Sequence, residues 1–134
     1  MSAGLYLREM IRDLLSMSLT ERRLILLTCT KLNSDRPVLS QVHSVSAEEW
    51  QSVFGTAEIP AYTLMADAAD TLLHRAPTSI GNSTHVETFH WLCSVNFLPK
   101  SQRMEITLTP TTSYIFHGLT VGDGKFEVLT GLGQ

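Results

Sequence analysis

SLTERRLILLTCTK, residues 18–31, opens with a helix start and runs straight into a block of apolar side chains. Ser18 or Thr20 can accept a hydrogen bond from the first free backbone N–H groups of a helix. Glu21 stands at the three-residue spacing from Ser18 that lets its carboxylate reach back, the reciprocal capping box. Leu24, Ile25, Leu26 and Leu27 follow without interruption. At helical spacing Leu24, Leu27, Thr28 and Lys31 trace one side, and Leu26, Cys29 and Thr30 cover much of the other; charge is confined to Glu21, Arg22, Arg23 and Lys31. A helix this apolar must be packed against on most of its circumference, so the rest of the chain has to supply the packing layers.

On its N-terminal side, Leu5, Leu7, Ile11, Leu14 and Leu15 recur at helical spacing against Arg8, Glu9, Arg12 and Asp13, which predicts an amphipathic helix ending near Ser16. On its C-terminal side the central helix is expected to reach about Leu32 and stop in the turn NSDRP, residues 33–37. VLSQVHSV, residues 38–45, reads as one short strand. Ser46 with Glu49 is a second capping box, predicting a helix over 47–54 whose Ala47, Trp50, Val53 and Phe54 share a face and which Gly55 closes in the left-handed conformation. Pro60 suits the start of the next helix, to about Arg75, with Tyr62, Met65, Ala66, Ala69, Leu72 and Leu73 inward and Thr63, Asp67, Asp70, Thr71 and His74 outward.

After Pro77, TSIGNST reads as turn material, and from residue 84 the period changes. THVETFHWLCSVNFLP predicts one long strand with Phe89, Trp91, Cys93, Val95 and Phe97 on an apolar face. Pro99 to Gln102 make a tight connection, and Met104, Ile106 and Leu108 alternate with polar residues in the returning strand. Thr109 then caps a short helix from Pro110 to Gly118. Leu24, Leu27, Trp50, Phe54, Leu72, Phe89, Trp91 and Ile106 are expected to be buried together.

Composition bounds the function. The chain has 134 residues, 43% hydrophobic and 17% charged, with a net charge of −3, which fits one soluble globular domain with one core. No apolar run approaches the roughly 18 residues of a spanning helix, and the first residues lack a basic segment ahead of an apolar block, so a cytoplasmic protein without membrane contact is expected. Cys29 and Cys93 show no C-x-x-C spacing and read as two buried small hydrophobes. His85 and His90 fall on opposite faces of a strand, and Asp67 and Asp70 lack a third ligand, so neither pair predicts a metal site. No G-x-S-x-G, phosphate loop or G-x-G-x-x-G occurs, and neither a catalytic residue nor a cofactor is expected.

The order helix, helix, strand, helix, helix, strand, strand, helix describes an α+β winged helix, a helix-turn-helix followed by a β-hairpin wing. The residues also resemble a known family. SLTERRLILLTCTKLNS is similar to the signature helix that opens the first winged-helix domain of plasmid replication initiator (Rep) proteins. VSAEEWQSVFG, AYTLMADAADTLLHRAP and ETFHWLCSVNFLPKSQRMEITLTPTTSYIFHGL resemble that domain's later helices and hairpin, in the same order. Family members continue into a second winged helix that makes the principal contacts with the repeated origin sequences, or iterons. Residues 1–119 are therefore expected to form the winged helix and 120–134 a Gly-rich tail, with the second domain absent.

The resemblance implies a module for initiating plasmid DNA replication. It would act mainly in homodimerisation, with auxiliary contacts to double-stranded DNA and with host replication proteins as further partners. The residues expected to meet DNA are Arg22 and Arg23 at the central helix, Thr63 and Arg75 on the long helix, and Lys100, Gln102 and Arg103 at the wing. The long helix sets Asp67 and Asp70 against Arg75, and an acidic face does not seek phosphate, which weighs toward dimerisation. Two alternatives stay open, a groove-reading transcriptional regulator and a degenerate or truncated initiator acting only in protein interactions.

Overall fold

The helix begun at Ser18 lies at the centre of the molecule. The computed structural model describes residues 3–32, 42–81 and 84–121. They form α1 (Ala3–Leu15), α2 (Leu19–Cys29), β1 (Val42–Ser46), α3 (Ala47–Phe54), α4 (Ala61–His74), β2 (Thr78–Gly81), β3 (Val86–Phe89), β4 (Leu92–Leu98), a 3₁₀ turn (Pro99–Ser101), β5 (Arg103–Leu108) and α5 (Pro110–Val121). The expected turn at 33–37, the first residues of the expected strand at 38–41, and 122–134 of the Gly-rich tail lie outside the described residues.

Ser18, not Thr20, caps α2. Its Oγ accepts the Glu21 N–H, and Glu21 Oε1 accepts the Ser18 N–H at 3.1 Å, completing the capping box. Leu24 through Cys29 are all buried, so packing surrounds the helix as its composition requires. Thr28 is tolerated there because its hydroxyl donates to the Leu24 carbonyl one turn back, at 2.8 Å. Regular helix ends at Cys29, before Leu32. Lys31 and Leu32 instead donate to Thr28 and Cys29, three residues back, a tightening common at helix ends.

Ser46 starts α3 with the same reciprocal device, its Oγ accepting the Glu49 N–H at 3.1 Å. Gly55 follows at φ +84°, a conformation that excludes most side chains, but its ψ of 179° is extended where the helical left-handed region was expected. In α4, Met65, Ala68, Ala69 and Leu72 are buried, while Thr63, Asp67, Asp70, Thr71 and His74 are exposed. α3 and α4 form the helix-turn-helix.

β1, β5 and β4 make an antiparallel sheet in that order, with Val45 opposite Met104 and Phe97 opposite Met104 from the other side. Met104, Ile106 and Leu108 are buried, as their alternation predicts. Trp91 stacks obliquely between Phe89 and Phe116, ring centroids 6.0 and 5.6 Å away, and Trp50 meets Phe54 edge-on at 5.1 Å. Seven of the eight expected core residues are buried; Phe54 is only partly so, at the rim.

The region after Pro77 departs from expectation. TSIG is strand β2, paired with β3 in a second, two-stranded sheet. The single long strand is broken at His90 and Trp91 into β3 and β4, which belong to different sheets. Trp91 and Leu92 are consecutive and both buried, which no alternating strand allows. The Trp91 carbonyl accepts the Thr109 N–H, and a bulge between Leu92 and Ser94 turns Cys93 outward. Cys93 is therefore exposed, contrary to its reading as a core hydrophobe, while Cys29 is buried as expected. Burial pushes the Cys29 thiol well above its usual range, so it packs as a neutral group. The winged helix thus carries an inserted hairpin between α4 and the wing, and its last helix runs to Val121, past Gly118.

Glu9 and Asp13 on α1 fasten that hairpin. Glu9 Oε2 accepts the Gly81 N–H at 2.7 Å, and Asp13 Oδ2 accepts both the Thr78 hydroxyl and the Trp91 indole N–H at 2.8 Å. On the other side, Thr111 of α5 donates to Glu87 of β3 at 2.8 Å.

Candidate nucleic-acid interface

The wing tip takes its shape from its turn chemistry. Pro99 opens the 3₁₀ turn, and Gln102, at φ +54°, takes the left-handed conformation that reverses the chain. Its side-chain amide donates to the Pro99 carbonyl at 2.7 Å, supporting that conformation locally. The Gln102 carbonyl accepts the Ala47 N–H at 2.9 Å, which ties the tip to the first residue of α3. Lys100, Gln102 and Arg103 are all exposed there. Lys100 projects from the turn, whereas the Arg103 guanidinium lies across the sheet and donates twice to Ser44 Oγ, at 2.8 and 3.1 Å.

The outer face of α4 has a different character. Thr63, Asp67, Asp70, Thr71 and His74 are exposed along it, with Thr71 donating to the Asp67 carbonyl and His74 3.5 Å from the Asp70 carboxylate. A phosphate approaching this helix meets two carboxylates and no lysine or arginine on the exposed face.

Arg75 leaves that face. Its guanidinium turns to Glu21, 3.5 Å away, whose side chain is 5% exposed, and also reaches Ser16. A carboxylate so sheltered needs a cation nearby, and Arg75 serves it. Arg23 lies over the Phe54 ring at 5.0 Å to its centroid, a cation–π contact joining α2 to α3. Arg22 is half-buried, and its Nε is shielded from solvent.

The seven expected residues therefore separate into three places. Lys100, Gln102 and Arg103 come together at the wing tip, and Thr63 stands alone on the acidic face of α4. Arg22, Arg23 and Arg75 gather around the start of α2, where Arg23 and Arg75 hold the helices together. Sequence reasoning overlooked Ser44, whose alternation along β1 puts it on the outer face with Arg103. It also passed over Arg8 and Arg12, exposed one turn apart on α1. Their four-residue spacing was the signal, and reading them only as the solvated side of an amphipathic helix hid it.

Among the described residues no group of three or more His, Cys, Asp and Glu side chains could hold a metal ion, and no helix is long and apolar enough to cross a membrane.

Comparison with known proteins agrees with this architecture. A family model described as initiator replication protein, WH1, matches residues 6–127. The crystal structure of the WH1 domain of MSBI1.176, a replication protein isolated from a multiple sclerosis patient, is similar with a TM-score of 0.69. The two chains are 18% identical, and the match covers 91% of this chain and 95% of that one. At that identity the likeness speaks to the fold alone. No curated protein matches.

Proposed function

The chain belongs to the initiator replication protein family as a WH1 domain, and from that premise we propose that it serves initiation of plasmid replication mainly by self-association, with auxiliary DNA contacts that do not read sequence. The observation that carries this reading is the face of α4. In a groove-reading winged helix that surface meets DNA, and here it bears Asp67 and Asp70 with no exposed lysine or arginine among them. Carboxylates there cost binding energy at every sequence, because the phosphate term dominates affinity.

DNA is met instead at the wing tip, through Lys100 and Arg103 with Gln102 beside them. Contacts of this kind go to the phosphate backbone; they position a protein without specifying bases. Arg23 and Arg75 act in the fold, Arg22 is half-buried beside them, and Thr63 is too isolated to recognise a base pair by itself. The domain acts in the cytoplasm as a homodimer, catalyses no reaction and offers its surface to host replication proteins.

Light scattering after size exclusion, run beside duplex titrations over a salt series, tests the reading. A dimer whose weak affinity is equal for iteron and random duplexes supports it. Nanomolar binding to one duplex by a monomer at physiological salt overturns it in favour of groove reading.

A further inference from the structure

His43 plays no part in the contacts proposed above, yet its placement is demanding. It sits on β1 opposite Ile106, a fully buried residue, and is itself 4% exposed. Its Nε2 is closed off from solvent and has no hydrogen-bond partner among the described residues. A neutral imidazole survives this at the cost of an unmade hydrogen bond, whereas an imidazolium would bury a charge with nothing to solvate it.

The surrounding charges sharpen the conflict. Burial first, and then the charge of Lys31 just beyond α2 acting through space, hold the ring's pKa below the usual histidine range. Lys31 is anchored by its ion pair with Glu49 of α3, so its cation is not free to swing away. Glu49 is itself committed to Lys31 and to the backbone and hydroxyl of Ser46, which together occupy its two carboxylate oxygens. Glu48 of α3 is exposed. On β5, Glu105 and Arg103 pair with Ser44 and Ser46, which puts them on the opposite face of the sheet from His43. Among the described residues, then, a cation acts on the ring through space and no carboxylate remains to receive a second positive charge.

We propose that His43 is an acid-sensitive latch: when it takes up a proton the ring leaves the junction of β1, α2 and α3, and the edge strand β1 comes away from both helices. β1 leads directly into α3, so the latch governs how firmly the helix-turn-helix is seated on the sheet. Opening needs no DNA and no partner.

Amide hydrogen exchange on the full chain between pH 7.5 and 5, corrected for intrinsic rates, tests this, with the histidine ring signals followed by NMR in the same samples. The opening equilibrium at β1 and the start of α3 should rise by up to about tenfold per pH unit below about 6.5, while α4 and β4 keep their protection. The His43→Leu variant should lose this acid response. Lys31→Gln, which leaves the histidine in place but removes the nearby cation and releases Glu49, should weaken the acid response, because the closed state then tolerates the imidazolium better. Acid opening that persists in His43→Leu, an acid response undiminished in Lys31→Gln, or exchange that accelerates uniformly over the chain would each overturn the proposal.

Discussion

Replacing Asp13 with Ala tests how the inserted hairpin is held. One carboxylate oxygen receives the Trp91 indole N–H and the Thr78 hydroxyl, both at 2.8 Å. Hydrogen bonds to a charged acceptor are each worth about 1.5–3 kcal/mol net, a gross loss of roughly 3–6 kcal/mol. Two gains offset part of it. An acidic residue near the C-terminal end of α1 opposes the helix dipole by about 0.3–1 kcal/mol, and Ala is the better helix former by up to about 0.7 kcal/mol. The Trp91 N–H also keeps the Thr78 oxygen at 3.1 Å as a second acceptor, so it is not left bare. The net cost should be about 2–4 kcal/mol. Urea denaturation followed by tryptophan fluorescence measures it, and hydrogen exchange should show β2 and β3 losing protection ahead of β5. A cost below about 0.5 kcal/mol, or uniform loss of protection, would show that Ile80, Phe89 and Trp91 hold the hairpin by apolar packing alone.

Other substitutions and conditions probe the remaining joints. Leu27→Ala empties space in a helix packed all round and should cost about 2–5 kcal/mol in chemical denaturation. Gly81→Ala places a Cβ 2.0 Å from the His85 carbonyl oxygen at φ +135°, so β2–β3 pairing should be lost in exchange experiments while the wing persists. Lys100→Ala with Arg103→Ala should weaken binding equally on iteron and random duplexes, lower the salt slope by about 2 and leave the dimer intact in light scattering. Stability should fall on mild acidification. The folded chain holds His43 neutral below the ordinary pKa of about 6.5, so the unfolded chain takes up the proton first. Stabilisation is full above that pH and declines by up to about 1.4 kcal/mol per unit as pH falls toward the folded pKa, a trend that denaturation at pH 7.5, 6.5 and 5.5 will resolve.

The helices were legible because their ends carry chemistry that acts over three or four residues. Ser18 with Glu21 and Ser46 with Glu49 form in the fold the reciprocal bonds their spacing predicts. The outward set of α4 was equally plain, since its polar residues follow helical period without exception. The hairpin between α4 and the wing was not, because Thr78, Ser79 and Gly81 are turn formers by composition. They become strand through a register with β3 and through carboxylates supplied by α1, both distant in sequence. Cys93 was misplaced for a related reason. Alternation from Phe89 onward is visible in the sequence, but the bulge that cancels it depends on how β4 meets β5. At the candidate interface, the basic residues could be named, yet which of them remain available turned on a buried carboxylate and an aromatic ring. Glu21 draws in Arg75 and Phe54 draws in Arg23.

The sheet order β1, β5, β4 also sets a sequence of events for folding. β4 and β5 are joined by a tight turn and can pair within microseconds, and α3 and α4 can form locally on a similar or shorter timescale. β1 has no such neighbour. Its only strand partner among the described residues, β5, appears after both helices of the helix-turn-helix, the inserted hairpin and β4. Closing that long loop is an entropic barrier met before any bond across it forms, so β1 docks last and sets the pace. On a ribosome β1 waits with its strand edge unpaired until β5 has been made, and that interval is when the edge is most exposed to wrong partners.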